Sequence, residues 1–176
     1  MRRVLIVLGA FVALALLLAV VGALLPVGHT ARVRLELGTP PATVYGAIAD
    51  VAEYPAWRSG LDSLTVVSTT PRLRWRESST TGTMEFEQVA AQPPRRVQAR
   101  ILGAKEQGFG GSWTWDLAAR PGGGTILTVT ERGEVYNPLF RLLSRYFISP
   151  YASLERYARD LASHFGESPV PERLTP

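Results

Sequence analysis

From about Thr30 to Val135 the chain is written in short apolar and polar alternations separated by turn residues, and after Asn137 the period changes to three and four. Thr30–Leu37 sets Ala31, Val33, Leu35 and Leu37 against Arg32, Arg34 and Glu36, the pattern of a half-buried strand. Six further strands follow over 61–68, 73–78, 82–90, 97–102, 112–119 and 125–133, divided by Thr70-Pro71, Ser79–Thr81, Gln92–Pro94 and Pro121–Gly124. Between the first and second strands lie two short helices. Thr39 caps the first, which begins at Pro40 or Pro41, and Asp50–Gly60 forms the second, broken by Pro55. In the last part, Tyr151, Leu154, Ala158, Leu161 and Phe165 make one apolar stripe, with Arg156, Arg159, Asp160 and Ser163 between them. Asn137-Pro138 and Ser149-Pro150 each read as a cap followed by a first helical residue, so two consecutive helices are expected here.

The expected architecture is α+β: a seven-stranded curved antiparallel sheet wrapped around a long C-terminal helix. The tail after Gly166, ESPVPERLTP, is polar and Pro-rich and is expected to be disordered.

A different pattern precedes all of this. Val4–Leu25 is 22 residues without a charged or strongly polar side chain, behind Arg2 and Arg3. As a helix it would span roughly 33 Å, against a bilayer hydrocarbon core of roughly 30 Å. A transmembrane anchor over 1–25 and a cleaved signal peptide both fit such a run; its length and the position of Val21-Gly22-Ala23 inside the apolar part favour the anchor. Arg2 and Arg3 then keep the N-terminus cytoplasmic and put the domain on the outer side, periplasmic or extracellular. The four-residue linker 26–29 reaches at most about 14 Å, which holds the 30–166 domain against the bilayer.

Pairing strands across the turns assigns the inner face of the sheet. Across Pro121–Gly124, Trp115 sits beside Val129 and Leu117 beside Leu127, with Trp113 on the same face. Across Gln92–Arg95, Met84, Phe86 and Gln88 join Val97, Ala99 and Ile101, leaving Glu85, Glu87 and Arg100 in solvent; Leu73, Trp75 and Glu77 extend this set. Two acids interrupt the apolar face. Glu77 falls near Met84 and Glu131 near Trp113, either to meet a ligand's polar group or to pair with an arginine such as Arg76 or Arg132. The tryptophans, Trp57 included, serve as core or as the lining of a pocket. The helix over 138–147 is apolar around most of its circumference. Either it packs into the domain, the reading preferred from sequence, or Phe140, Leu143 and Phe147 contact the membrane with Arg141 and Arg145 on headgroup phosphates.

The order strand, two small helices, six strands, long helix, with Tyr54-Pro55-Ala56-Trp57 in the helical pair, resembles the START-like helix-grip superfamily, also called SRPBCC, over Thr30–Phe165. That superfamily holds polyketide cyclases, lipid-transfer domains and coenzyme Q-binding proteins. The resemblance implies a deep apolar cavity between sheet and terminal helix, and it implies neither one substrate nor catalysis. With the derived inner face it nominates Trp75, Glu77, Met84, Phe86, Trp113, Trp115, Val129, Glu131, Leu154 and Tyr157 as the cavity wall.

Composition narrows the chemistry. There is no cysteine, hence no disulfide, no thiolate and no acylated lipoprotein. His29 and His164 are not spaced as a metal site or a triad, no Gly-x-Ser-x-Gly elbow occurs, and no cofactor is implied. The net charge of +4 includes Arg2 and Arg3, too little to argue for nucleic acid. The partner expected is a lipid or other apolar small molecule, together with the membrane. The function expected is its binding in the cavity; a cyclase or hydrolase using Glu77 or Glu131, and a filled structural module, are the alternatives.

Overall fold

The computed structural model describes residues 2–80 and 82–175. Its elements are α1 (Arg2–Leu24), β1 (Gly28–Leu37), α2 (Pro41–Ala49), a 3-10 turn (Val51–Glu53), α3 (Tyr54–Trp57), β2 (Ser63–Ser68), β3 (Arg74–Ser79), β4 (Gly82–Gln92), β5 (Arg96–Ile101), α4 (Ala104–Gln107), β6 (Phe109–Ala119), β7 (Thr125–Val135), α5 (Pro138–Phe147), α6 (Ala152–His164) and β8 (Glu172–Leu174). Of the Ser79–Thr81 turn, Thr81 lies outside the described residues.

The eight strands form one antiparallel sheet in the order β2-β3-β4-β5-β6-β7-β1-β8. The meander from β2 to β7 follows the chain because each connection is short, and β1 joins the far side of β7. The inner-face register is the one the alternation requires: Trp115 opposes Val129, Leu117 opposes Leu127, and Trp75 opposes Phe86. Ala31, Val33, Leu35 and Leu37 are buried on β1, and Leu154, Ala158 and Leu161 of α6 are fully buried with them in one core. Helix α6 thus lies against the β1 and β7 end of the sheet, and the helix-grip architecture expected from sequence is present.

Four local readings need correction. The tail is not all irregular: β8 makes an eighth strand on the open edge of β1. Two charged contacts fasten it, Arg173 on Glu155 and Glu167 on the start of α2, where its carboxylate accepts from the Gly38 and Thr39 amides at 2.7 and 3.0 Å and from the Thr39 hydroxyl at 2.7 Å. Polar composition measures what a segment can bury, and it does not register an exposed sheet edge offering backbone partners. Thr39 therefore caps nothing with its own oxygen; Pro40 is the cap residue, and Glu167 serves the loop instead. Ser149-Pro150 does not open α6, which begins at Ala152, although the Ser149 hydroxyl accepts from the Tyr151 amide at 3.3 Å. At Asn137 the expectation holds, its side chain accepting from the Phe140 amide at 3.0 Å. Finally, Glu87 is on the outer face but not in solvent. It is 2% exposed, because Arg74 and Arg100 oppose it on the neighbouring strands and, with Arg72, lie over it.

Candidate functional site

Between sheet and α6 the structure leaves a cavity of about 450 Å³. Its wall is built from the inner faces of β3 to β7, from α3 and α6, and from the α1–β1 link and α5. Eight of the ten residues nominated from sequence line it: Trp75, Glu77, Met84, Phe86, Trp113, Trp115, Glu131 and Tyr157. Val129 and Leu154 do not. Both are 0% exposed within the core, Val129 wedged between Val33 of β1 and Trp115 of β6, while the cavity runs over β3 and β4 and past Glu131 at the other end of β7.

The aromatic residues divide by position. Trp75 and Phe86 stack face to face at 5.5 Å between ring centres, an arrangement their pairing across β3 and β4 produces. Around Tyr157 stand Trp57, Trp113 and Trp115, at 5.4, 5.7 and 5.7 Å. Trp57 stays behind this cluster as packing; the other two reach the cavity. The hydroxyl of Tyr157 and the indole nitrogen of Trp115 are buried without a hydrogen-bond partner. Tyr54 is close by, but its hydroxyl donates to the Ile48 carbonyl at 2.7 Å. Burial raises the pKa of both tyrosines, so both stay neutral donors.

Sequence reasoning missed Arg58. Its guanidinium reaches Glu77 at 2.7 Å, and the same carboxylate oxygen accepts from the Trp75 indole at 2.9 Å. Arg58 also lies over the Tyr54 and Tyr157 rings, 4.8 and 5.4 Å from their centres. Burial works against its charge, but attraction to Glu77 and the hydrogen bond outweigh this, and the net shift is upward. The arginine that pairs with Glu77 is therefore not Arg76, which goes to Glu85. Only the helix grip brings α3 over β3, and no spacing of 19 residues announces such a contact.

Glu131 is likewise not paired with Arg132. It accepts from the Ser153 hydroxyl of α6 at 3.1 Å and faces His29 at 3.5 Å. In this Ser–Glu–His arrangement the carboxylate stands between the other two, whereas a hydrolytic triad needs the imidazole in the middle. Among the described residues, His and carboxylates do not gather in a group of three or more able to hold a metal ion.

At its other end the cavity is bordered by Leu25, Pro26 and Val27 of the link and by Phe140, Ser144 and Ile148. Helix α5 does not bury its apolar residues in the domain as the preferred sequence reading had it: Leu139, Phe140, Leu143, Tyr146, Phe147 and Ile148 are all exposed. Arg141 is the buried one, and it bonds backbone carbonyls rather than facing outward toward headgroups.

A family described as polyketide cyclase / dehydrase and lipid transport matches residues 29–163. The chain belongs to that family. Solved structures agree on the fold of this polyketide cyclase-like domain. Norcoclaurine synthase from Thalictrum flavum is similar with a TM-score of 0.64 at 9% identity, over 80% of this chain and 88% of that one. The Zhui aromatase/cyclase from Streptomyces sp. R1128 gives 0.60 at 12% identity, over 78% and 93%. A conserved protein from Geobacillus kaustophilus gives 0.63 at 15% identity, over 82% and 99%. No curated protein matches the polyketide cyclase-like chain by sequence.

Proposed function

We propose that this protein is a membrane-anchored binder of a hydrophobic small molecule or lipid. The cavity of about 450 Å³ carries the reading, since it falls within the roughly 300–1,000 Å³ of small-molecule sites. Most of its exposed wall surface is apolar, with Arg58, Glu77 and Glu131 inside and further charged residues, Glu134, Arg145, Arg156 and Asp160, also on its lining. The family's description, which includes lipid transport, agrees with such a ligand.

The setting supports a lipid source. Helix α1 is 23 residues long, apolar, and long enough to cross a membrane. Retained as an anchor with Arg2 and Arg3 in the cytoplasm, it holds the domain on the outer side, and the ligand enters near α5 from the adjacent leaflet. Catalysis by Glu77 is disfavoured, because its carboxylate oxygen is already engaged by the Arg58 guanidinium and the Trp75 indole.

The test is native mass spectrometry of the full chain released from detergent. One apolar adduct of fixed mass per protein is expected, and it should persist in Glu77→Gln and Glu131→Gln. Protein that carries no extractable ligand would leave only the tethered structural module.

A further inference from the structure

The least expected contact in the molecule is that of Arg141, a guanidinium 8% exposed on a helix whose apolar side chains face outward. Its Nε donates to the Val135 carbonyl at 2.8 Å and Nη2 to that of Tyr136 at 3.0 Å. Nη1 reaches the last turn of α1, at 3.0 Å from the Leu25 carbonyl and 3.3 and 3.4 Å from those of Gly22 and Ala23. A helix end leaves its last carbonyls short of amide donors, Gly22 here accepting only from the Leu25 amide at 3.3 Å among the turn bonds, and α1 has no basic residue of its own in its last turn. Next to this contact Gly22 meets α5 so closely that an added Cβ would lie 2.0 Å from the Pro138 carbonyl oxygen. The Val135 amide, donating to the Val27 carbonyl at 2.9 Å, closes the link from the other side. The apolar helix is thus clamped to the domain at its C-terminal turn.

We propose that α1 and α5 form one rigid membrane-binding unit, latched by Arg141, which lays the outer face of α5 in the lipid interface and seats the cavity on the bilayer. The occupant of that face is the bilayer because the face is continuous with α1: Leu24, at the end of the spanning helix, is 81% exposed, and so is Phe147 at the end of α5. A helix that leaves the membrane at Leu24 and is locked to α5 there cannot carry Phe140, Leu143 and Phe147 far from the headgroups. The latch also bears on the fate of α1, since its removal would strip three acceptors from a buried guanidinium. The inference rests on α1 being a retained anchor, and the experiment separates the two.

The chain has no cysteine, so single probes can be placed freely. Full-length Phe147→Cys, Leu143→Cys and, at the distant end of β6, Ala119→Cys are labelled with an environment-sensitive fluorophore and reconstituted into vesicles of phosphatidylcholine and phosphatidylglycerol. Expected is quenching of the first two by spin-labelled lipid and of the third by aqueous iodide. A probe at Phe147 that behaves like the one at Ala119, in protein that floats with the vesicles, overturns this inference alone; protein that does not float overturns the anchor as well. Protection of the Phe147 probe from both quenchers, with disulfide-linked dimers of the same variant left unlabelled, would assign the face to a second copy and overturn it too. Adding Arg141→Met, or Gly22→Leu where the first variant does not fold, should leave flotation intact and bring the Phe147 probe to the level of Ala119; unchanged lipid quenching in both would overturn the latch.

Discussion

The Arg58–Glu77 pair invites a double-mutant cycle. The two side chains are 20% and 12% exposed, so each has lost most of its hydration, and their closest atoms are 2.7 Å apart. At about 4 Å between charge centres and an effective dielectric of about 20, the attraction is about 4 kcal/mol, much of it offset by desolvation. Removing one partner strands the other. Breaking a fully buried pair costs about 3–5 kcal/mol, and the opening of the cavity beside this one lowers the expectation to about 2–3 kcal/mol. Glu77→Gln retains an oxygen for the Trp75 indole but strands Arg58, whereas Arg58→Met strands Glu77. The double variant, with no charge left to strand, should recover to within about 1 kcal/mol of the parent, a coupling of at least about 3 kcal/mol. Urea unfolding of the detergent-solubilised full chain, followed by tryptophan near-UV dichroism, measures all four corners. Single variants that lose stability additively, with coupling under about 0.5 kcal/mol, would refute the view that burial makes the two charges interdependent.

Leu154→Ala should cost about 2–5 kcal/mol in the same assay, since Leu154 is core, while Met84→Ala at the cavity wall should cost clearly less; equal losses would contradict the division between core and lining. Tyr157→Phe should stabilise the protein by about 1 kcal/mol by deleting a buried hydroxyl that has no partner, and a loss of stability would reveal one. Glu167→Ala removes the three bonds that hold Gly38 and Thr39, at an expected loss of about 1–3 kcal/mol, with faster amide exchange in β8 as the local signature. Acid titration of stability has a definite sign. Burial would raise the carboxyls of Glu87 and Glu167, but hydrogen bonds from Arg74 and Arg100, and from Gly38 and Thr39, outweigh it and hold both below the usual range. Their contribution is complete above the unfolded value of about 4.3 and is lost as pH falls through the lower folded values, so between neutral pH and acid the wild type should lose more stability than Glu167→Gln does.

What the chain could declare by itself was whatever depends on local period. Alternation set the strands, and since a one-residue slip would turn every inward side chain outward, it also set the register that puts Trp75 on Phe86 and Trp115 on Val129. An uninterrupted apolar run marked α1, and the absence of cysteine closed off whole classes of chemistry. What depends on elements meeting from afar was out of reach. That Arg58 lands on Glu77, Ser153 on Glu131, Glu167 on Thr39 and Arg141 on the end of α1 follows from how α6, α3 and α5 are laid across the sheet, with partners 19 to 128 residues apart. The same holds for the division of the inner face, whose apolar positions looked alike. Only the packing of α6 on β1 and β7 made Val129 and Leu154 core and left Trp75, Met84 and Phe86 around a hollow.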